Sequence, residues 1–205
     1  MTTTLRMLAL SCLSLVLLLA GCGDGKPQFK NTDITGADYA RDFSLTDHHG
    51  KKVTLADYRG KVVTVFFGFT QCPDVCPTAL AEMREVVAKL GPDGAKLQVL
   101  FITIDPERDT QALLSQYVPA FHPDFVGLFG DAQTTARVAK DFKVFYQKVP
   151  GKTPGSYTMD HSAGTYVFDP QGKLRLFVRP AASGEPASVT ADRLVGDIKM
   201  LLAGR

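Results

Sequence analysis

The sequence predicts an α/β fold: a central mixed sheet flanked by helices, extended on its N-terminal side by a β-hairpin. Three observations carry this. Val62 to Phe69 is a continuous apolar and β-branched run, the pattern of a strand buried on both faces. Leu80, Met83, Val87 and Leu90 then recur at helical spacing, and Leu97 to Ile104 is a second buried run. Strand, helix and strand of this length make a parallel βαβ unit. Near the C-terminus, Gly164 to Phe168 and Lys173 to Val178 flank an Asp169-Pro-Gln-Gly172 turn and read as an antiparallel hairpin. A parallel unit joined to an antiparallel hairpin makes the sheet mixed.

In chain order, residues 1–21 read as a signal sequence. Arg6 supplies its positive region, and Met7 to Ala20 is apolar but short for a membrane span. Leu19-Ala20-Gly21-Cys22 resembles the lipobox of bacterial lipoproteins, with cleavage before Cys22 and lipid added to it. Residues 22–41 are polar and aperiodic and read as a lipid-anchored tether, leaving 42–205 as one domain. The lipobox resemblance implies a protein lipid-anchored in the bacterial cell envelope, facing the periplasm or the exterior.

Phe43 to Thr46 and Lys52 to Leu55 form the N-terminal hairpin around Asp47-His-His-Gly50, where His48 and His49 read as solvated turn residues. Gly91-Pro-Asp-Gly94 ends the first helix. Asp105-Pro-Glu-Arg-Asp109 follows the second strand, and Asp109 reads as the cap of a helix over Thr110 to Val118. His122 lies in a turn before a short strand, Phe125 to Phe129. Asp131 caps a helix to about Phe142, and Gln147 to Thr158 reads as a long loop. Thr190 reads as the cap of a final helix whose apolar face holds Leu194, Ile198 and Leu201.

Composition narrows the function. The chain has 205 residues, 45% hydrophobic, with 23 bases against 21 acids. No basic patch argues for nucleic acid. Of four cysteines, Cys12 leaves with the signal and Cys22 takes lipid, so Cys72 and Cys76 remain as thiols. They sit in Phe69-Thr-Gln-Cys-Pro-Asp-Val-Cys-Pro-Thr78, between the buried strand and its helix. A helix N-terminus favours thiolate. An exposed pair in an oxidising compartment would tend to form a disulfide unless reduced or metallated. The pair therefore serves either disulfide exchange or a soft metal.

The element order is thioredoxin-like, with two departures. The spacing is CxxxC rather than CxxC, and the loop before the third core strand lacks the dipeptide that carries a cis-proline in such oxidoreductases. His161 stands in that neighbourhood instead.

The segments FFGFTQCPDVCPT, FITIDPERDT and DHSAGTYVFDPQGKLRL resemble the Sco/SenC family, named for synthesis of cytochrome c oxidase, from about Phe43 to Val178. The resemblance implies that Cys72, Cys76 and His161 are copper ligands. It also implies a membrane-tethered metallochaperone, rather than an enzyme, that delivers copper to the binuclear copper centre of the oxidase's copper-bearing subunit. Other copper chaperones or thioredoxin-like reductants are further candidate partners. The alternative is a thiol–disulfide reductase that keeps the oxidase's cysteines reduced, with Cys72 and Cys76 as the redox pair. Asp105 and Asp160 are candidates to support the ligands from behind. Thiolate and imidazole donors independently suit Cu(I), and the cargo is Cu(I), Cu(II) or both. A peroxiredoxin-type reading rests on Thr70-Gln-Cys72 but lacks the proline expected before it, and structural zinc wants a fourth ligand.

Overall fold

In the computed structural model, which describes residues 28–180 and 187–205, the two apolar runs become the centre of one sheet. The elements are β1 (Thr32–Asp33), β2 (Ser44–Asp47), β3 (Lys52–Thr54), β4 (Val62–Gly68), α1 (Val75–Leu90), β5 (Leu97–Thr103) and α2 (Gln111–Tyr117). Then come β6 (Val126–Phe129), α3 (Ala132–Asp141), β7 (Tyr146–Pro150), β8 (Tyr157–His161), β9 (Thr165–Phe168), β10 (Leu174–Val178) and α4 (Ala187–Leu202). The expected signal sequence and the lipid attachment at Cys22 lie outside the described residues.

Every residue of β4 and β5 is buried, because helices cover both sheet faces. The eight-stranded sheet runs β1-β10-β9-β4-β5-β6-β2-β3. β4 pairs parallel with β5 and antiparallel with β9, so the sheet is mixed and the core thioredoxin-like. The N-terminal hairpin β2–β3 joins the far edge through β2 and β6. Phe66 and Phe101 face α1 and α2, where the Phe101 ring meets Tyr117. On the other face, Phe67 and Tyr166 pack against Phe142 at the end of α3. α4 lies beside α1, tied at the surface by Lys89 and Asp192 at 2.6 Å. No helix among the described residues is long and apolar enough to cross a membrane.

Tertiary contacts revise four sequence expectations. Residues 28–41, read as part of a tether, pack onto the domain. β1 pairs with β10, and the buried Asp197 accepts hydrogen bonds from Lys30 N (2.8 Å), Asn31 N (2.9 Å) and Asn31 Nδ2 (2.8 Å). His48 is buried rather than solvated, since its turn docks against β6; its Nδ1 accepts the Gly127 N–H at 2.9 Å. His49 is exposed as expected. The stretch Gln147 to Thr158 is not a loop throughout: β7 and β8 pair as a separate antiparallel hairpin, with Tyr146 opposite His161. Thr190 lies buried inside α4, which starts at Ala187, and so cannot cap it.

Candidate metal centre

β4 ends at Gly68, at the sheet edge where β5 also ends. The chain turns through Phe69 to Asp74 and enters α1 at Val75. Cys72 thus lies in the loop, and Cys76 is the second residue of the helix. Asp74 occupies the N-cap without a side-chain bond to the helix. The Cys72 sulfur takes that role for one amide, accepting the Cys76 N–H at 3.4 Å. Both cysteines are free thiols.

His161 is the last residue of β8. Its Nε2 stands 3.8 Å from Cys76 Sγ, and its Nδ1 is 3.0 Å from the Ser162 carbonyl. A carbonyl only accepts, so Nδ1 carries the hydrogen and Nε2 presents its lone pair to the sulfurs. The rings of Phe66 and Phe69 pack edge-on against the imidazole, at 6.3 and 6.0 Å between centroids. The ligand atoms of Cys72, Cys76 and His161 lie within 4.8 Å of one another. Two soft sulfurs and one imidazole at that separation fit a thiophilic ion of low coordination number, copper(I) among them.

Burial sets the reactivity. Cys76 is 0% exposed and Cys72 9%. Desolvation, and then the contact with Cys72, push the Cys76 thiol far above its ordinary range. This runs against the expectation of a thiolate favoured by the helix N-terminus: burial holds Cys76 as a thiol. A soft cation in the pocket would supply the countercharge that burial denies, so loading requires loss of the thiol proton. The pair is also less exposed than expected, with Cys72 and the half-buried His161 forming the mouth.

Two supporting residues escaped the sequence reading. A β-carbon on Gly68 would lie 2.9 Å from Cys76 Sγ, so glycine is what lets the sulfur rest on β4. The only sequence cue is a glycine interrupting an apolar strand. Asp109 is not the helix cap; Thr110 is, accepting the Leu113 N–H at 3.2 Å. Asp109 instead accepts from Thr70 N (3.0 Å), Thr70 Oγ1 (2.6 Å) and Thr103 Oγ1 (2.6 Å), fastening the cysteine loop to the end of β5. Asp105 and Asp160 do not support the ligands directly. Asp105 is buried against Arg108 and Tyr157, while Asp160 is exposed on β8 opposite Gln147. His122 uses Nδ1 to accept the Asp124 N–H at 3.2 Å within its own turn.

Comparison with known proteins places this arrangement. The SCO2 homologue of Bos taurus, a mitochondrial protein, is 39% identical over 163 residues, covering 78% of this chain and 61% of its own length. The chain thus spans about three fifths of that relative. A solved structure of Bradyrhizobium japonicum ScoI with copper bound is 42% identical, with a TM-score of 0.66, over 78% of this chain and 97% of that one. The solution structure of apo Sco1 from Thermus thermophilus is 39% identical, with a TM-score of 0.73, over 87% and 99% of the two chains. The SCO1/SenC family model matches residues 31–196. Sequence and fold agree over the whole region that builds the thiol–imidazole cluster: the chain belongs to the SCO1/SenC family.

Proposed function

We propose that this protein is a membrane-tethered copper carrier that serves assembly of the binuclear copper centre of cytochrome c oxidase. The observation that carries the reading is the convergence of Cys72, Cys76 and His161 within 4.8 Å at a partly open sheet edge. The relatives supply the metal: Bradyrhizobium japonicum ScoI and yeast Sco1 have structures with copper bound. Copper is cargo here, so the site must release it. Cys76 is the buried donor, whereas Cys72 and His161 stand at the mouth where a partner's thiolate can replace them. The tethering half of the proposal rests on the lipobox-like Cys22 and on the apolar run before it. It puts the domain outside a bacterial cytoplasmic membrane, with the oxidase's copper-bearing subunit as client.

The test is a copper titration of reduced protein, read by absorption. Wild type takes up one copper per chain; His161→Ala and either Cys→Ser variant bind much more weakly. Unchanged stoichiometry and affinity in His161→Ala would exclude the three-donor site.

A second reading is a thiol–disulfide reductase acting on the client's cysteines. The asymmetry of the pair favours it: Cys72, at 9% exposure, is the thiol nearer the surface and would meet a partner disulfide first, and Cys76, at 0%, sits behind it to resolve the mixed disulfide. In that role His161→Ala keeps oxidase assembly in cells, while either cysteine variant loses it.

A further inference from the structure

Arg108 lies five residues past the end of strand β5, in a segment that contributes no donor to the thiol–imidazole cluster. Its Nη1 donates to the Tyr157 carbonyl at 2.8 Å and to Gln71 Oε1 at 3.0 Å. Its Nε pairs with Asp105, which is 1% exposed. The guanidinium carbon sits 3.6 Å from the centroid of the Tyr157 ring and 5.8 Å from that of Phe69. Tyr157 returns the contact, donating its hydroxyl to Asp105 at 2.9 Å. Lys148 of β7 adds an ion pair to Glu107 at 2.6 Å.

These contacts join three segments distant in sequence: the cysteine loop, the loop after β5, and the β7–β8 hairpin that ends in His161. The hairpin is a sheet of its own. Apart from the His161–Cys76 contact, the hydrogen bonds and ion pairs that connect it to the rest of the domain, among the described residues, run to Asp105, Glu107 and Arg108. The polar ties of the His161 hairpin to the domain thus run largely through this latch, beside the packing of Phe66 and Phe69 on the imidazole and of Met159 in the core.

We propose that Arg108 is a positioning residue for the metal site: its planar fork, seated on Asp105 and stacked on Tyr157, holds the His161 hairpin closed over Cys72 and Cys76. The inference rests on the copper-carrier reading for its consequence, but its structural half stands without metal. Arginine suits the task because one rigid group reaches three acceptors and stacks on a ring; lysine offers a point charge. Partners behind a ligating histidine typically govern about 10–100-fold in metal affinity.

The experiment has two arms on the full chain. In the metal-free arm, hydrogen exchange of backbone amides 157–161 is compared in wild type, Arg108→Gln and Arg108→Lys. Faster exchange confined to the hairpin is expected for Arg108→Gln, and wild-type protection would overturn the latch whatever the metal does. In the metal arm, copper(I) affinity is measured for Arg108→Gln, His161→Ala and the double variant. Arg108→Gln loses about 10–100-fold in wild type and nothing further once His161 is gone. An equal loss in both backgrounds would show that Arg108 does not act through His161. Wild-type affinity in Arg108→Lys would reduce the role to a charge and overturn the positioning account. If His161→Ala binds copper as wild type does, the carrier reading fails, and the exchange arm still decides the latch.

Discussion

Gly68 ends β4 directly beneath Cys76, and replacing it by alanine tests how the pocket is packed. The new β-carbon would stand 2.8 Å from the Phe101 ring and 2.9 Å from both Cys76 Sγ and the Phe66 ring. Ordinary contact begins near 3.4 Å, so these neighbours must yield by roughly half an ångström or more. The backbone has little freedom to yield first. Gly68 stands opposite Thr103 in the parallel ladder, and its carbonyl accepts the Ile104 N–H at 2.9 Å. Overpacking of this kind costs about 1–3 kcal/mol, and removing a strand glycine returns about 0.5–1 kcal/mol. A net loss of about 1–2 kcal/mol follows. With a urea slope of about 1–3 kcal/mol per molar, the unfolding midpoint of the reduced, metal-free protein falls by about 0.3–2 M. On the proposed copper site, affinity falls too, because the displaced sulfur is one of its three donors. An unchanged or raised midpoint together with wild-type copper affinity would refute the claim that the sulfur rests against β4.

Three further outcomes are expected. Asp197→Ala leaves the Lys30 and Asn31 amides without their shared acceptor, so it destabilises by about 2–3 kcal/mol and speeds proteolysis before residue 34; unchanged cleavage would mean that the segment is not held there. His48 is held below its ordinary value of 6.5 first by burial and then by His49, against an opposing pull from Asp47. The unfolded chain therefore takes up the proton first, and the His48 contribution is complete above about pH 6.5 and declines as pH falls below it. Urea unfolding at pH 7.5 and 5.5 should show a smaller pH dependence in His48→Gln than in wild type, and equal dependence would remove His48 as the cause. Iodoacetamide at neutral pH should modify Cys72 well before Cys76, since burial both shields the Cys76 thiol and keeps it protonated; equal labelling on peptide mapping would contradict the buried assignment.

Much of the site is legible in the sequence alone. Cys72 and Cys76 share one strand-to-helix junction, so four residues of chain suffice to place them together. His161 was legible through its sequence resemblance and through its place before β9. The role of Arg108 was not, because its partners Gln71 and Tyr157 lie 37 and 49 residues away. The misreadings share that origin. Asp109 is followed by a threonine able to cap α2, so the local signal did not say which residue turns inward to Thr70 and Thr103. His48 looked like a turn residue because nothing near it in sequence announces that its hairpin docks on Gly127.

Local chemistry by itself determined the βαβ unit, the C-terminal hairpin, the capped helix α3 and the thiol pair at the start of α1. Apolar period, turn residues and caps act over a few residues and need no partner to be recognised. Tertiary structure decided which sulfur is the deeper, which histidine nitrogen faces it, and what holds the hairpin shut. Those follow from side chains dozens of residues apart sharing one low-dielectric pocket. There, a missing β-carbon at Gly68 and a guanidinium at Arg108 set the distances on which the metal chemistry depends.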